Sequence, residues 1–550
     1  MPPVQYRTQI MDHLGLVAGM CKELKIAEYI DTLAPKNSDE SNVSHGEAIV
    51  AMIINGLGFT GQSLHMFPRF FDNKPLDKLI RAGVEPEHLN DKVLGRALDK
   101  LFELDVSKVY FNRAIKVVKH LKLPCNALNL DGTGFHVDGR YNCDSPISDD
   151  DMDCIRLCKG YSRDHRPDLN QAVLLLMTEN QAGIPLFMKA VSGNVNDKSS
   201  FKRIVSQHIK SFKAALDARY FVADAALYVA ETILDLDQQG QLFISRVPLN
   251  IGAAKALVQS APERLMKPVD GFDHYETIEV SSDYGDVEQR WVMFRNKQGQ
   301  VSQQKTLTRR MQKKSLKEAE KLEKLGKKPF KSQADAMKAF EQWQQQCEFC
   351  EAELRVVSKP CYKTKGRPGK ETEPDHLEYY VTGDHCSVTV QTRREAEASL
   401  GCFVLATNDL DCNRLNAAEL LKTYKSQQQV ERGFRFLKSP DFLVSSLYLE
   451  KPERIEALLM VMTLCLMVYA AIQHRIRHEL KRQNRTFPNL KNKPYQNPTS
   501  RWVFFCFEGV HVLTVYSHER AMAEKFVVGI NDEQSTIIAI LGQTYQTIYS

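Results

Sequence analysis

The sequence predicts an α/β protein: a mixed β-sheet core, a helical region before it and a long insertion within it. Three observations predict this. The hydrophobic period is helical up to about residue 122 and becomes a series of short, strand-length apolar runs from Ala127. Those runs alternate with helical stretches as far as Val247. A Lys/Glu-rich segment then separates them from one last strand-like run, GCFVLATN (Gly401 to Asn408), which leads into the amphipathic stretch Leu415 to Lys438.

In the N-terminal region, Ser44-x-x-Glu47 is a capping box leading into AIVAMII. Asn90 or Asp91 caps LGRALDKLF, and Ser107 opens a third apolar-periodic run through Leu121. Arg81, Lys92, Arg96 and Lys100 give the middle helices a basic side. A helix lying against DNA needs such a side, and solubility explains it equally well.

ALNLDGTGFHV reads as a strand ending in Asp131, followed by a polar excursion from Asp138 to Asp153 and the basic loop KGYSRDHRPDLNQ, Lys159 to Gln171. QAVLLLMT and IPLFMKAV, joined by a turn at Gln181 to Gly183, form a hairpin. Asp197 caps a helix from Ser199 to about Leu216, RYFVADAAL is a strand stopping at Asp224, and a helix to Gln238 precedes the strand LFISRV. Strand, strand, strand, helix, strand, helix, strand is ribonuclease H-like order. In such a sheet the first and fourth strands lie side by side, which brings Asp131 and Asp224 together. Two carboxylates that close repel in water, so the arrangement implies bound cations.

The predicted divisions are 1–122, helical and DNA-binding; 123–248, the first part of the core; 249–399, the insertion; 400–480, the second part of the core with the Glu431 helix; and 481–550, a C-terminal region. The insertion carries two predicted helices, Lys305 to Lys328 and Ala334 to Gln346, and a Gly366-Arg367-Pro368 tripeptide of the kind that lies in a narrow minor groove. A solvated turn accounts for that tripeptide too. In the Leu415 to Lys438 stretch, Tyr424, Glu431 and Lys438 are spaced by seven and share a helix side with Gln427 and Arg435. Val430, Phe434 and Leu437 form a second stripe that docks the helix on a core.

With 550 residues, 43% of them hydrophobic, the chain holds several domains with sizeable cores, and its net charge of +5 permits a nucleic-acid partner without demanding one. Thirteen scattered cysteines and no apolar leader after Met1 point to reduced thiols in a cytoplasm. Cys347 and Cys350 form a C-x-x-C without a second pair at zinc-ribbon spacing; Cys361, His385 or Cys386 would have to complete a tetrahedral site. The uncharged run Ala457 to Ile472 is 16 residues long, short of a membrane span, and reads as a buried core helix with no membrane partner.

Taken together, these blocks resemble bacterial insertion-sequence transposases with a DDE triad, in the branch marked by Tyr-x2-Arg-x3-Glu-x6-Lys. Here the pattern stands as Tyr424, Gln427, Glu431 and Lys438, matching at three of four places. LNLDGTGFHVDG, GYSRDHRPDLNQ, YFVADAALY and RWVFFCFEG look like further blocks of one subgroup. The resemblance implies that Asp131, Asp224 and Glu431 are the catalytic carboxylates and hold two Mg2+ ions, with Mn2+ as a substitute. It implies phosphate contacts from Tyr424, Arg435 and Lys438, with Gln427 in the place of an arginine whose charge and fork it lacks. Lys159, Arg163, His165 and Arg166 are candidates for a phosphate-binding loop, and Arg96 for contact with the element's end. Asp138, Asp164, Asp168 and Asp197 compete with the chosen aspartates but stand at turn or cap positions. The implied partner is double-stranded DNA, both transposon ends and target, bound by a homodimer in a bacterial cytoplasm at the nucleoid. A metal-dependent nuclease without strand transfer and a non-catalytic DNA-binding derivative remain as alternatives.

Overall fold

The computed structural model describes residues 5–36, 42–59, 66–137, 154–160, 166–194, 212, 215–216, 218–261, 263–362, 373–439, 449, 451–516 and 523–550. Asp138, Asp164, Asp197, Arg163, His165 and Gly366 to Pro368 lie outside the described residues, as does most of the helix expected after Asp197. The chain divides into two compact units. One comprises residues 1–245, 285–287 and 420–550, the other 246–284 and 288–419.

In the first unit, β1 (Gln5–Ile10) precedes a series of helices that ends with Asp91–Glu103 and Val106–His120. The Ser44 capping box forms as its spacing predicts, and Asn90 rather than Asp91 caps the Asp91–Glu103 helix. The third cap differs from expectation. Asp105, not Ser107, accepts from the backbone N–H groups of Ser107 and Lys108, because a carboxylate one position before the helix reaches two free donors at once.

The sheet follows with β2 (Ala127–Val137), β3 (Asn170–Glu179), β4 (Pro185–Ser192), β5 (Tyr220–Ala223) and β6 (Leu242–Val247). Their spatial order is β4-β3-β2-β5-β6, with β2, β3 and β4 antiparallel in sequence and β5 parallel to both β2 and β6. One boundary is corrected. β2 does not stop at Asp131 but runs to Val137, because β3 pairs with it as far as Val137↔Asn170. The parallel ladder to β5 ends earlier, at Leu130↔Ala223.

In the second unit the helix Gly252–Ser260 is followed by β7 (Lys267–Val269), β8 (Phe272–Ser282) and β9 (Gln289–Asn296). Its two long helices, Lys297–Gly326 and Gln333–Gln346, pack against the hairpin of β10 (Cys350–Cys361) and β11 (His376–Val388) around Leu322, Ala336, Phe340, Trp343 and Val381. The last predicted strand forms as β12 (Cys402–Thr407) and pairs antiparallel with β9. Cys350 has a structural role: its thiol donates to the Ser315 carbonyl, and its backbone N–H donates to Glu318.

Back in the first unit, the run Ala457 to Ile472 is the middle of a 31-residue helix, Pro452–Arg482. Of its most apolar window 89% is buried inside the protein, the placement expected of a core helix. Arg454 makes a two-point ion pair with Asp99, at 2.7 Å for each bond, and Arg475 lies 3.2 Å from Glu23, so this helix is tied to the N-terminal ones. After the small pair β13 (Phe487–Pro488) and β14 (Pro494–Tyr495), the chain forms β15 (His511–Tyr516) and β16 (Ala523–Val528). The sheet β1-β15-β16 joins the two ends of the chain. Two glycines permit the accompanying helix contact: a Cβ at Gly15 or Gly19 would lie 2.6 Å from the ring of Tyr549 or Tyr545.

Candidate active site

The parallel register between β2 and β5 places the two candidate aspartates together. Its last pair is Leu130↔Ala223, so Asp131 and Asp224 follow one step further on neighbouring strands about 4.8 Å apart. Asp131 is 8% exposed, and its Oδ1 accepts from the Gly132 N–H at 2.8 Å. Asp224 leaves β5 in a tight turn: its Oδ1 accepts from the Ala226 N–H at 2.8 Å. Ser245 on β6 holds the backbone there by donating to the Asp224 carbonyl at 2.9 Å.

Glu431 comes from above this pair. The stretch expected as one helix is two, Ala417–Lys425 and Gln428–Leu437. The break falls where Ser426 meets the sheet: its Oγ lies 3.1 Å from Asn129 Oδ1 and also donates to the Thr423 carbonyl at 2.6 Å, offering the backbone an alternative to a continuous helix. The backbone stays in the right-handed helical region through Gln427, so the turn at Ser426 and Gln427 tightens the helix without reversing it. Gln427 is the junction residue and is 7% exposed, packed into the protein rather than open to the cleft. The stripe of Val430, Phe434 and Leu437 is buried as predicted, with Gly433 beside it.

Two contacts orient the Gln428–Leu437 helix. Alternation puts Asn129, Asp131, Thr133 and Phe135 on one face of β2. Ser426 meets Asn129 on that face, and the Lys438 ammonium lies 5.7 Å from the centre of the Phe135 ring. Twelve helical residues and six strand residues each cover about 18 to 20 Å, so the helix tracks the strand. Glu431, five residues past Ser426, then comes level with Asp131, two residues past Asn129, each about 7 Å along. Rotation about the axis is set by Gln429, which donates to the carbonyls of Asn180 and Gln181 at 3.2 and 3.3 Å, on the β3 side. Glu431 is about 200° from Gln429, so it faces the other side of β2, which β5 and Asp224 occupy. Arg435 and Lys438 follow it at helical spacing, and Glu431 and Arg435 are exposed.

The other candidates are spread more widely. Lys159 is exposed, whereas Arg166 makes a two-point ion pair with Asp168 at 2.9 Å, an exposed pair that holds the Asp168 carboxyl below its usual range. Arg96 is exposed on the Asp91–Glu103 helix, with its Nε donating to the Lys92 carbonyl. Sequence reasoning missed three residues that position the site: Asn129, Phe135 and Gln429. Asn129 had a signal, since a polar residue in an apolar strand run must have a partner once buried.

Asp131, Asp224 and Glu431 would offer only oxygen donors, the kind hard divalent cations take. Among the described residues the group whose ligand atoms lie within 4.8 Å of one another is Cys361, His376 and Glu378 on the β10–β11 hairpin; Asp131, Asp224 and Glu431 are not drawn that close. The hairpin group does not include Cys347 or Cys350, and the side chains of His385 and Cys386 are outside the description.

A family model described as a transposase DDE domain matches residues 130–468, more than half of the 550-residue chain and the whole span from Asp131 to Glu431. The chain belongs to the DDE transposase domain family. Enzymes of this family generally depend on divalent metal ions. A second model, a domain of unknown function called DUF4277, matches residues 6–115. No curated protein matches the chain. Among solved structures, a piggyBac transposase synaptic complex with hairpin DNA is similar at 9% identity and a TM-score of 0.37, covering 92% of this chain and 82% of that chain. That likeness is too loose to argue from.

Proposed function

We propose that this transposase recognises the terminal inverted repeats of an insertion sequence, cleaves DNA at the element's ends and joins the freed 3′-ends to target DNA. In this reading β2 to β6 are the body of a ribonuclease H-like core, and the chain is of the Tyr-Arg-Glu-Lys branch with glutamine in the arginine's place. Asp131, Asp224 and Glu431 hold two magnesium ions, for which manganese can substitute. When bound, these ions supply an activated water or 3′-hydroxyl and stabilise the leaving 3′-oxygen.

The protein's own residues place the substrate. Lys438, held over the Phe135 ring, and the exposed Arg435 lie on the Glu431 side, where they neutralise phosphates flanking the cut. Lys159 and Arg166, with Arg163 and His165, extend this contact, and Tyr424 adds a hydrogen bond. The helical residues 1–122, through Arg96 and its neighbours, read the element's end. Two copies pair two ends, so the active form on DNA is a homodimer.

The observation that supports this reading is the register: Asp224 falls beside Asp131 on parallel strands, beneath a helix that sets Glu431 level with them. Magnesium-dependent cleavage of DNA bearing the element's own ends tests it. Asp131→Asn, Asp224→Asn and Glu431→Gln should each abolish cleavage while leaving folding and DNA binding intact; full cleavage by any one removes that residue from the site. A metal-dependent nuclease would use the same carboxylates, and a 3′-end joining assay separates the two.

A further inference from the structure

The Gln428–Leu437 helix has a second side, and it faces a groove that the carboxylates do not enter. There it packs close to the Pro452–Arg482 helix: a Cβ at Gly433 would lie 2.8 Å from Leu466 Cδ2. Beside this contact is a groove of about 400 Å3. Leu466, Phe436 and Tyr469 form its floor, the two rings 4.5 Å apart between centres. Its polar wall is Arg432 together with His474, Arg477, His478 and Lys481, a stripe at helical spacing. No acidic side chain among the described residues lines it.

Of the basic side chains in this groove, His478 lies 3.3 Å from Glu479. Arg477 is half-buried, and the partner of its Nε is the neutral Pro498 carbonyl at 2.8 Å. Among the described residues no carboxylate pairs with Arg432, Arg477 or Lys481. The nearest acid on the helix, Glu479, is taken by Arg482, Arg475, Gln483 and His478. Burial draws the Arg477 pKa down, opposed by Tyr495 and Tyr469 and reinforced by Arg432. Burial does the same to His474, and His478, Arg475 and Arg477 all push in that direction. A guanidinium desolvated beside another cation costs free energy that a bound anion would return.

We propose that this groove binds the phosphodiester backbone of a nucleic-acid strand, at a site separate from the Glu431 side of the helix. The stripe from His474 to Lys481 is about 10.5 Å long, the axial rise of about three nucleotides of one strand. Three separated cations over an aromatic floor suit a run of phosphates and sugars better than one small anion. The proposal rests on the transposase reading for the identity of the polymer.

Binding of a labelled random-sequence duplex to the full chain, measured by anisotropy from about 50 to 200 mM salt, tests it. The double variant Arg477→Gln, Lys481→Gln should bind more weakly, with the slope of log K against log salt shallower by about 1.8 for two lost phosphate contacts. Arg477→Lys, which keeps the charge, should retain most of the slope, and thermal melts check that both variants fold. Unchanged affinity and slope in the double variant overturn the proposal. So does a groove that binds inorganic pyrophosphate, in a manner the variants abolish, while duplex binding is unaffected. If the wild-type chain binds no duplex, the transposase reading itself fails, which is a different result from a bound duplex indifferent to these two residues.

Discussion

Glu479 is the hub of a charge network, and its removal makes a prediction whose size can be worked out. The carboxylate is 5% exposed, accepts from Arg482 at 2.9 and 2.7 Å and from Gln483 at 3.0 Å, and has Arg475 and His478 within 3.4 Å. Burial alone would raise its pKa. The hydrogen bonds from Arg482, Gln483 and His478 prevail and hold it at about 2, against an ordinary 4.5. A carboxyl depressed this far contributes about 3 kcal/mol at neutral pH, at 1.36 kcal/mol for each tenfold change in proton affinity. The pKa is lower in the folded chain, so the contribution is fully present above pH 4.5 and is lost as pH falls toward 2. Glu479→Gln should therefore unfold in urea with about 2 to 3 kcal/mol less stability than the wild type at pH 7, and the gap should close as the pH approaches 2. An equal gap at both ends of that range would refute the electrostatic account and leave lost packing as the cause.

Three further outcomes follow from particular contacts. Gln427→Arg should destabilise by roughly 1 to 3 kcal/mol in chemical denaturation, because it forces a charge into the buried junction; a wild-type denaturation midpoint would show that the junction opens to solvent. A double-mutant cycle on Asp99→Ala and Arg454→Ala should give a coupling of about 1 kcal/mol for the partly exposed two-point pair, and additive effects would mean that it ties nothing. Glu179 is buried and accepts from the backbone N–H groups of Gln181, Ala182 and Ile184 at 2.7, 2.7 and 3.0 Å, so Glu179→Gln should cost about 1.5 to 3 kcal/mol and slow DNA cleavage by loosening the turn that Gln429 grips; unchanged stability would put the turn's rigidity elsewhere.

Much of the candidate site was legible from local pattern. Ser44, Asn90, the β3–β4 hairpin and the strands through Asp131 and Asp224 are set by neighbours a few residues away, because capping, turn chemistry and alternation act over that range. The order of strands and helices was enough to predict that Asp131 and Asp224 lie side by side, which the register places on adjacent strands. Where reading from the sequence went astray, the deciding partner was remote. The helix through Glu431 breaks because Ser426 meets Asn129, 297 residues away, and β2 continues past Asp131 because β3 pairs beyond it. Nothing local told Gln427 from a cleft residue either, since a polar side chain at helical spacing reads alike whether it points to solvent or into a junction. β1 was missed for the same reason: its edge is completed by β15, some 500 residues later. The basic groove is assembled from the β3–β4 turn, two helices and Asn497. By itself the sequence determined that Asp131 and Asp224 stand at adjacent strands of one sheet and that Glu431 lies on an amphipathic helix. Only the tertiary structure decided which way that helix faces, because its rotation depends on contacts at Asn129, Phe135 and the Asn180–Gln181 turn that no local period encodes.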